Sequence, residues 1–291
     1  MQIAFHLGAH STDNDKLLKT LLKNSGQLHA RGTVVPGPGR YRDLIRKTIV
    51  ALKGDRATVE SQEALFDAII EESEAERLIL SNENFICITR TAFDGTGFYP
   101  QTSEKIVSYS NLFHGYDLEF HLAISNPAIL IPELFARSPQ PTLADYLDGS
   151  DPMDLRWSTI IKAIHEANPD ASITIWCNED SPLIWTDILG ALADVDETFK
   201  FEGEFDFIQE IMSKEGMRRL QSYLRTHPPK NARQKRRIIA AFLDKFATSA
   251  AIEMEINLEG WDDTYIERLT ALYEEDVQHI AQLPYVRFLS P

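Results

Sequence analysis

The stretch Ile3-Ala4-Phe5-His6-Leu7-Gly8-Ala9-His10-Ser11-Thr12-Asp13-Asn14-Asp15-Lys16-Leu17-Leu18 decides how the chain is built. Its first five residues form a short apolar run that stops at Gly8. Leu17, Leu18, Leu21 and Leu22 then recur at helical spacing in a segment reaching from Asp15 to Ala30. The order is strand, turn, helix, the opening of an α/β unit.

Working outward, the same order repeats. Val59 to Glu74 has a helical pattern and is followed by Leu78-Ile79-Leu80, a buried strand. Leu118 to Ile124 is a further strand, and Pro127 to Phe135 a helix with its proline in the first turn. Leu155 to Ala167 is helical until Asn168-Pro169 stops it, and Ile173 to Trp176 is a fourth strand. Such alternation predicts a mainly parallel central sheet flanked by helices on both faces. Beyond Ser181 the signals are helical, at Pro182 to Leu192, Ile208 to Leu224, Ala232 to Phe246 and Tyr265 to Ala281. The last third is therefore expected to be mainly a helical flank. No Pro/Gly/Ser-rich linker divides the 291 residues, so residues 1–291 are expected to form a single domain.

Composition excludes several classes. A net charge of −15 repels nucleic acid and anionic membrane surfaces, so an anionic ligand would have to be held locally. Cys87 and Cys177 are far apart and fit neither a disulfide framework nor a metal spacing. Met1-Gln2-Ile3 lacks the basic flank of a signal peptide, and no apolar run approaches the roughly 18 residues of a membrane helix. A reducing, cytoplasmic setting is the expectation, with oligomeric state left open.

In an open parallel sheet, ligands bind at the carboxyl ends of the strands. The loops to search are those at His6 to Lys16, Ser81 to Phe85 and Ser125 to Pro127. In the first, Gly8, His10, Ser11 and Thr12 precede a helix N-terminus, whose free N–H groups suit an anion. Asp13 and Asp15 share that turn, and aspartate there serves equally to cap the helix, the reading that outweighs ligand contact. His6, His10, Asp13 and Asp15 have no diagnostic metal spacing, and none is assigned.

At this loop the chain resembles the bacterial sulfotransferase family. Phe5 to Leu18 is similar to the family's amino-terminal signature, a strand ending in His-Ile/Leu-Gly and then x-His-Lys-Thr-Gly-Thr-Thr-Ser. Leu80-Ser81-Asn82-Glu83-Asn84-Phe85 resembles its second strand with a Ser-x-Glu turn, and Phe120 to Pro127 the strand that ends in Arg-x-Pro. Leu272-Tyr273-Glu274-Glu275-Asp276 is similar to its closing helix. The resemblance touches the chain at intervals and implies a P-loop-type fold.

It also implies a site. The family's loop wraps the phosphosulfate of 3'-phosphoadenylyl sulfate, which assigns Gly8, Ser11, Thr12, Lys16 and Ser125 to the cofactor. Glu83 is implied as general base toward an acceptor hydroxyl, with His10 as the alternative; read from the residues alone, Glu83 is slightly more readily a cap or pairing partner within its loop. Two departures weaken the donor site. Ser11 stands at the family's lysine, and Asp13 and Asp15 bring two carboxylates to the loop. A carboxylate about 4 Å from a phosphate costs roughly 1 kcal/mol in water and about 4 at an effective dielectric of 20. Ser125 stands where an arginine commonly holds the 3'-phosphate, and Lys16 is the one substitute cation in reach. Two readings follow. One is sulfuryl transfer to a carbohydrate or small-molecule hydroxyl through a degraded donor site. The alternative is a non-catalytic binding or interaction protein on the same scaffold; the sequence does not choose between them, though the adverse substitutions make the absence of a bound cofactor the more expected outcome.

Two basic segments complete the inventory. Pro36-Gly37-Pro38-Gly39-Arg40-Tyr41-Arg42, with Arg46 and Lys47 beyond, could recruit an anionic acceptor, but reads better as a rigid turn entering an amphipathic helix with its arginines toward solvent. Lys230, Arg233, Lys235, Arg236 and Arg237 form the densest basic cluster, which could hold a phosphate or a partner's carboxylates but is more readily read as the solvated start of a helix after His227-Pro228-Pro229. Neither GxxxxGK[ST] nor GxGxxG occurs, which argues against other nucleotide-binding roles.

Overall fold

The apolar runs pair into one sheet because each is too hydrophobic to face water on either side. In the computed structural model, which describes residues 1–70, 75–248, 258 and 260–291, six parallel strands form it. They are β1 (Gln2–His6), β2 (Thr33–Val34), β3 (Arg77–Ser81), β6 (Asp117–Ile124), β7 (Ser172–Cys177) and β8 (Val286–Leu289), in the order β2-β3-β1-β6-β7-β8. A separate antiparallel hairpin, β4 (Phe93–Asp94) with β5 (Gly97–Phe98), precedes β6. The architecture is α/β of Rossmann-like or P-loop-like build. Strand β1 lies inside the sheet, where the chain first extends one way to β3 and then the other way to β6. Crevices open at such a reversal.

The helices are α1 (Lys16–Lys23), α2 (Ser25–His29), α3 (Pro38–Leu52), α4 (Val59–Ile69), α5 (Thr102–Leu112), α6 (Pro127–Ala136), α7 (Leu143–Leu147), α8 (Trp157–Ala167), α9 (Ser181–Ala193), α10 (Asp206–Ile211), α11 (Lys214–Thr226) and α12 (Ala232–Phe246). A long helix, Asp263–Ile280, precedes β8. Three expected boundaries change. The first helical segment breaks at Asn24, whose side chain bonds the Thr20 and Glu202 carbonyls. The segment Ile208 to Leu224 is two helices, because Ser213 caps α11 by accepting from the Gly216 N–H. Helix α4 ends at Ile69, and residues 71–74 of the expected helix lie outside the described residues. The carboxyl-terminal third is helical as expected, but it also supplies β8 to the sheet edge.

The two faces of the sheet differ. On one, Ile3, Phe5, Leu78, Leu80, Phe120, Leu122, Ile173 and Ile175 are buried in the larger core, against α3, α4, α5, α8 and Asp263–Ile280. On the other, strand alternation brings Ser81, His6, His121 and Thr174 side by side in register, all at least 95% buried. Toward the amino ends of the strands on the same face, Arg77, two rows from Ser81, pairs with Glu119, donates to the Leu192 carbonyl and closes against Gln2. Helices α1 and α9 cover this face through Leu17, Leu18, Leu21, Ile184, Ile188 and Leu189.

Burial governs the charge state of the polar row. It pushes His6 and His121 below the ordinary histidine value, so both are neutral. Burial opposes ionisation of Glu119 as well, but His121 and Arg77 hold that carboxyl down at about 2. His6 Nδ1 bonds Ser81 Oγ at 2.9 Å and its ring stacks on Trp176. His6 Nε2 and His121 Nδ1 are buried without a partner among the described residues.

Candidate functional site

The loop after β1 keeps following β6 before it turns. The N–H groups of Leu7 and Ala9 donate to the carbonyls of His121 and Ala123, and Ala123 N–H returns a bond to Gly8. Gly8 is obligatory here. Its φ is +93°, and a Cβ would stand 3.1 Å from Glu83 Cα. The close approach that this glycine permits is to the loop after β3.

Beyond Gly8 the loop satisfies its own polar groups. Thr12 Oγ1 donates to the Ala9 carbonyl at 2.7 Å and is buried. Asp13 caps α1: its Oδ2 accepts from Leu17 N–H at 2.8 Å and its carbonyl from Lys16 N–H. Asp15 turns away to Arg42, with contacts of 2.5 and 3.2 Å, and Arg42 holds its carboxyl below the usual carboxylate range. Arg42 and Tyr41 on α3 both donate to the Ser81 carbonyl, which ties this helix to the end of β3.

Glu83 and Ser11 meet at Arg137, the residue that ends α6. Arg137 donates to Glu83 Oε1 at 2.7 Å and to Ser11 Oγ at 2.8 Å, and Ser11 N–H donates to Glu83 Oε2 at 3.3 Å. Partial burial works to raise the Glu83 pKa, but the guanidinium and the Ser11 amide hold it below its ordinary value. A carboxylate so held is a weak base.

His10 is fully buried beside this triad. Nδ1 accepts from Tyr99 Oη at 2.6 Å, which leaves Nε2–H to donate to the Cys87 carbonyl at 3.1 Å and to Asn84 Oδ1 at 3.3 Å. Burial keeps the ring neutral despite nearby Glu83. Both nitrogens are occupied, so the ring accepts no further proton donor without losing the Tyr99 bond.

Lys16 and Ser125 lie in other clusters. Lys16 Nζ binds Glu210 on α10 at 2.5 Å and lies 5.1 Å from the Phe207 ring centre. Ser125 Oγ and Asn126 N–H both donate to Glu179 Oε1, at 3.1 and 2.8 Å, and Tyr273 Oη donates to Glu179 Oε2 at 3.0 Å. The structure thus gathers Gly8, His10, Ser11 and Glu83, leaves Thr12 inside its own turn, and separates Lys16 and Ser125. Arg42, expected to face solvent, instead turns inward to Asp15 and the Ser81 carbonyl, because those two acceptors lie within its reach at the end of β3. Tyr99 and Glu179 carried no signal in the sequence, and Arg137 only its place at the end of an expected helix.

The chain matches no family model, no curated protein and no solved structure. The arrangement must speak through its chemistry. The sequence places a potential anion site at the first loop, and at each position the ligand is a carboxylate of the chain itself: Glu83 on the Ser11 amide and Arg137, Asp15 on Arg42, Glu210 on Lys16, Glu179 on Ser125 and the Asn126 amide. Among the described residues no three His, Cys, Asp or Glu side chains gather as metal ligands. No described helix is long and apolar enough to cross a membrane.

Proposed function

We propose that this protein is a non-catalytic binding protein on a sulfotransferase-like scaffold, in which internal carboxylates occupy the contacts that the donor's phosphates and sulfuryl group would make. The observation that supports this reading is the placement of Glu83. A phosphate or sulfate approaching Ser11 meets an ionised carboxylate already bonded to the amide and to Arg137. At about 4 Å that opposition amounts to roughly 1 kcal/mol in water and about 4 at an effective dielectric of 20, and a bound anion also has to displace the existing ion pair. Glu179 repeats the arrangement at Ser125. On this reading there is no donor cofactor, and the two buried free thiols, pushed up to about 12 by burial, suit a reducing, cytoplasmic setting.

One observation keeps sulfuryl transfer as the second reading. The Arg137–Glu83 pair is at the surface, with side chains 42% and 27% exposed, so both partners can swing apart. Arg137 would then supply the missing cation, and Glu83 a base toward a carbohydrate or small-molecule hydroxyl. Titration calorimetry with 3'-phosphoadenosine 5'-phosphate at low salt separates the two. The binding reading expects no heat at high protein concentration. Binding on the order of micromolar, or turnover of the sulfuryl donor that is lost on Glu83→Gln, overturns it.

A further inference from the structure

The carboxyl-terminal hairpin of α11 and α12 is chemically unlike the rest of the molecule. Between Ser213 and Thr248 there are ten Lys and Arg against two carboxylates, a net of +8 in a chain of −15. The two helices are locked close together, since a Cβ at Gly216 would stand 2.4 Å from Phe246 Cβ. Their inner face packs on α10 through Ile208, Met217, Leu220 and Ile239. Their outer face does not close.

Between the helices on that outer face lies an open depression of about 820 Å³, with Tyr223, Ile238, Ala241 and Phe242 in its wall. A second of about 450 Å³ shares Tyr223, Ala241 and Phe242 and continues toward Phe246. Tyr223 is 41% exposed and stacks on His227 at 4.6 Å, so its ring is held in place. Cations border both ends: Lys230, Arg233 and Arg237 at one, and Lys245 with Arg219, itself paired to Glu215, at the other, so the net positive charge is concentrated at the first end. Lys235 and Arg236, on the opposite side of α12, are neutralised by Glu204 and Asp187. Lys230, Arg233 and Arg237 have no ion-pair partner among the described residues.

We infer that this groove docks a short amphipathic helix of a partner protein, apolar along one stripe and acidic on its flanks. The apolar floor takes the stripe, as helix-in-groove recognition does, and the two basic ends take the carboxylates. At 15 residues α12 is about 22 Å long, enough for four helical turns of a partner. Charge decides between an acidic helix and an extended polyanion. A membrane surface or a nucleic acid extends past the hairpin and meets the strongly acidic remainder of the chain. A short helix stays within about one Debye length, roughly 8 Å, of the basic rim.

The test uses the full chain and a fluorescein-labelled peptide of about 15 residues, with leucines at i, i+3, i+4 and i+7 and glutamates elsewhere. Anisotropy is expected to show binding on the order of micromolar, weakened at high salt. Arg233→Glu with Arg237→Glu is expected to weaken it about tenfold, and Tyr223→Ser by a similar factor. These side chains are solvent-facing, and unchanged melting midpoints verify that the variants fold. The inference is overturned if the peptide does not bind, or if a scrambled peptide of the same composition binds equally. Tighter binding to vesicles of phosphatidylcholine and phosphatidylserine or to a DNA duplex also overturns it. So does sedimentation showing a self-dimer that the double arginine variant abolishes.

Discussion

Replacing Glu83 by Gln tests whether the chain's own carboxylate closes the first loop. Glutamine keeps the shape and a carbonyl acceptor for Ser11 N–H, and removes only the charge that now faces Arg137 at 2.7 Å. The guanidinium, the Ser11 amide and the Ser11 hydroxyl then surround a position with no anion. The gain for an incoming sulfate is the repulsion relieved, between about 1 kcal/mol in water and about 4 at an effective dielectric of 20 for charges about 4 Å apart. Since the pair is partly exposed, the lower part of that range applies, about 1–2 kcal/mol, or roughly 5- to 30-fold in affinity. Stability should fall by no more than about 1 kcal/mol, as for other exposed ion pairs. The assay is calorimetric titration of wild type, Glu83→Gln and Glu83→Gln with Arg137→Gln, using inorganic sulfate and 3'-phosphoadenosine 5'-phosphate. The gain should appear in the single variant and vanish in the double. Equal affinities for all three, or a gain that survives loss of Arg137, would refute the idea that Glu83 occupies an anion site.

Two further outcomes follow from burial and backbone geometry. His6, His10 and His121 all lie below their ordinary value because of burial, so the unfolded chain binds their protons more tightly than the folded one. Their contribution is present above about pH 6.5 and is lost as pH falls below it, so the denaturant midpoint should decline between about pH 6.5 and 5. The lowered carboxyls of Asp15, Glu83 and Glu119 add their loss only below about pH 4.5; a midpoint flat down to that pH would contradict the buried neutral row. Gly8→Ala forces a side chain into a φ of +93° and against Glu83 Cα, and should cost about 1–3 kcal/mol in chemical denaturation. A loss under about 0.5 kcal/mol would mean the two loops do not approach as described.

The sheet was largely legible because its inner strands are continuous apolar runs. Ile3 to Leu7, Leu78 to Leu80, Leu118 to Ile124 and Ile173 to Trp176 each matched a strand within a residue or two. Strand β2 is only Thr33–Val34, too short for a period, and β8 alternates with an arginine after a long helix, so neither stood out. The capping role of aspartate in the first loop was also readable, since Asp and Ser near leucines at helical spacing have a local cause. What could not be read is long-range pairing. His10 and Tyr99 are 89 residues apart, and Lys16 meets Glu210 across 194. No local rule predicts that a lysine one turn into α1 will be neutralised from α10, yet that contact takes Lys16 out of play as the loop's substitute cation.

The edge strand β8 carries a consequence for how the molecule assembles. Its pairing joins Ile173 to Val286, so 113 residues of chain must be gathered before that ladder forms. Contacts of such separation close late, because the entropy of the loop is lost before the hydrogen bonds return anything. Until then β7, which is among the most apolar strands, presents a bare row of N–H and C=O groups to solution, the template on which another chain can add. Refolding yield should therefore depend on protein concentration even where the final stability does not, and the time during which β7 stays uncovered sets how much material is lost to aggregates.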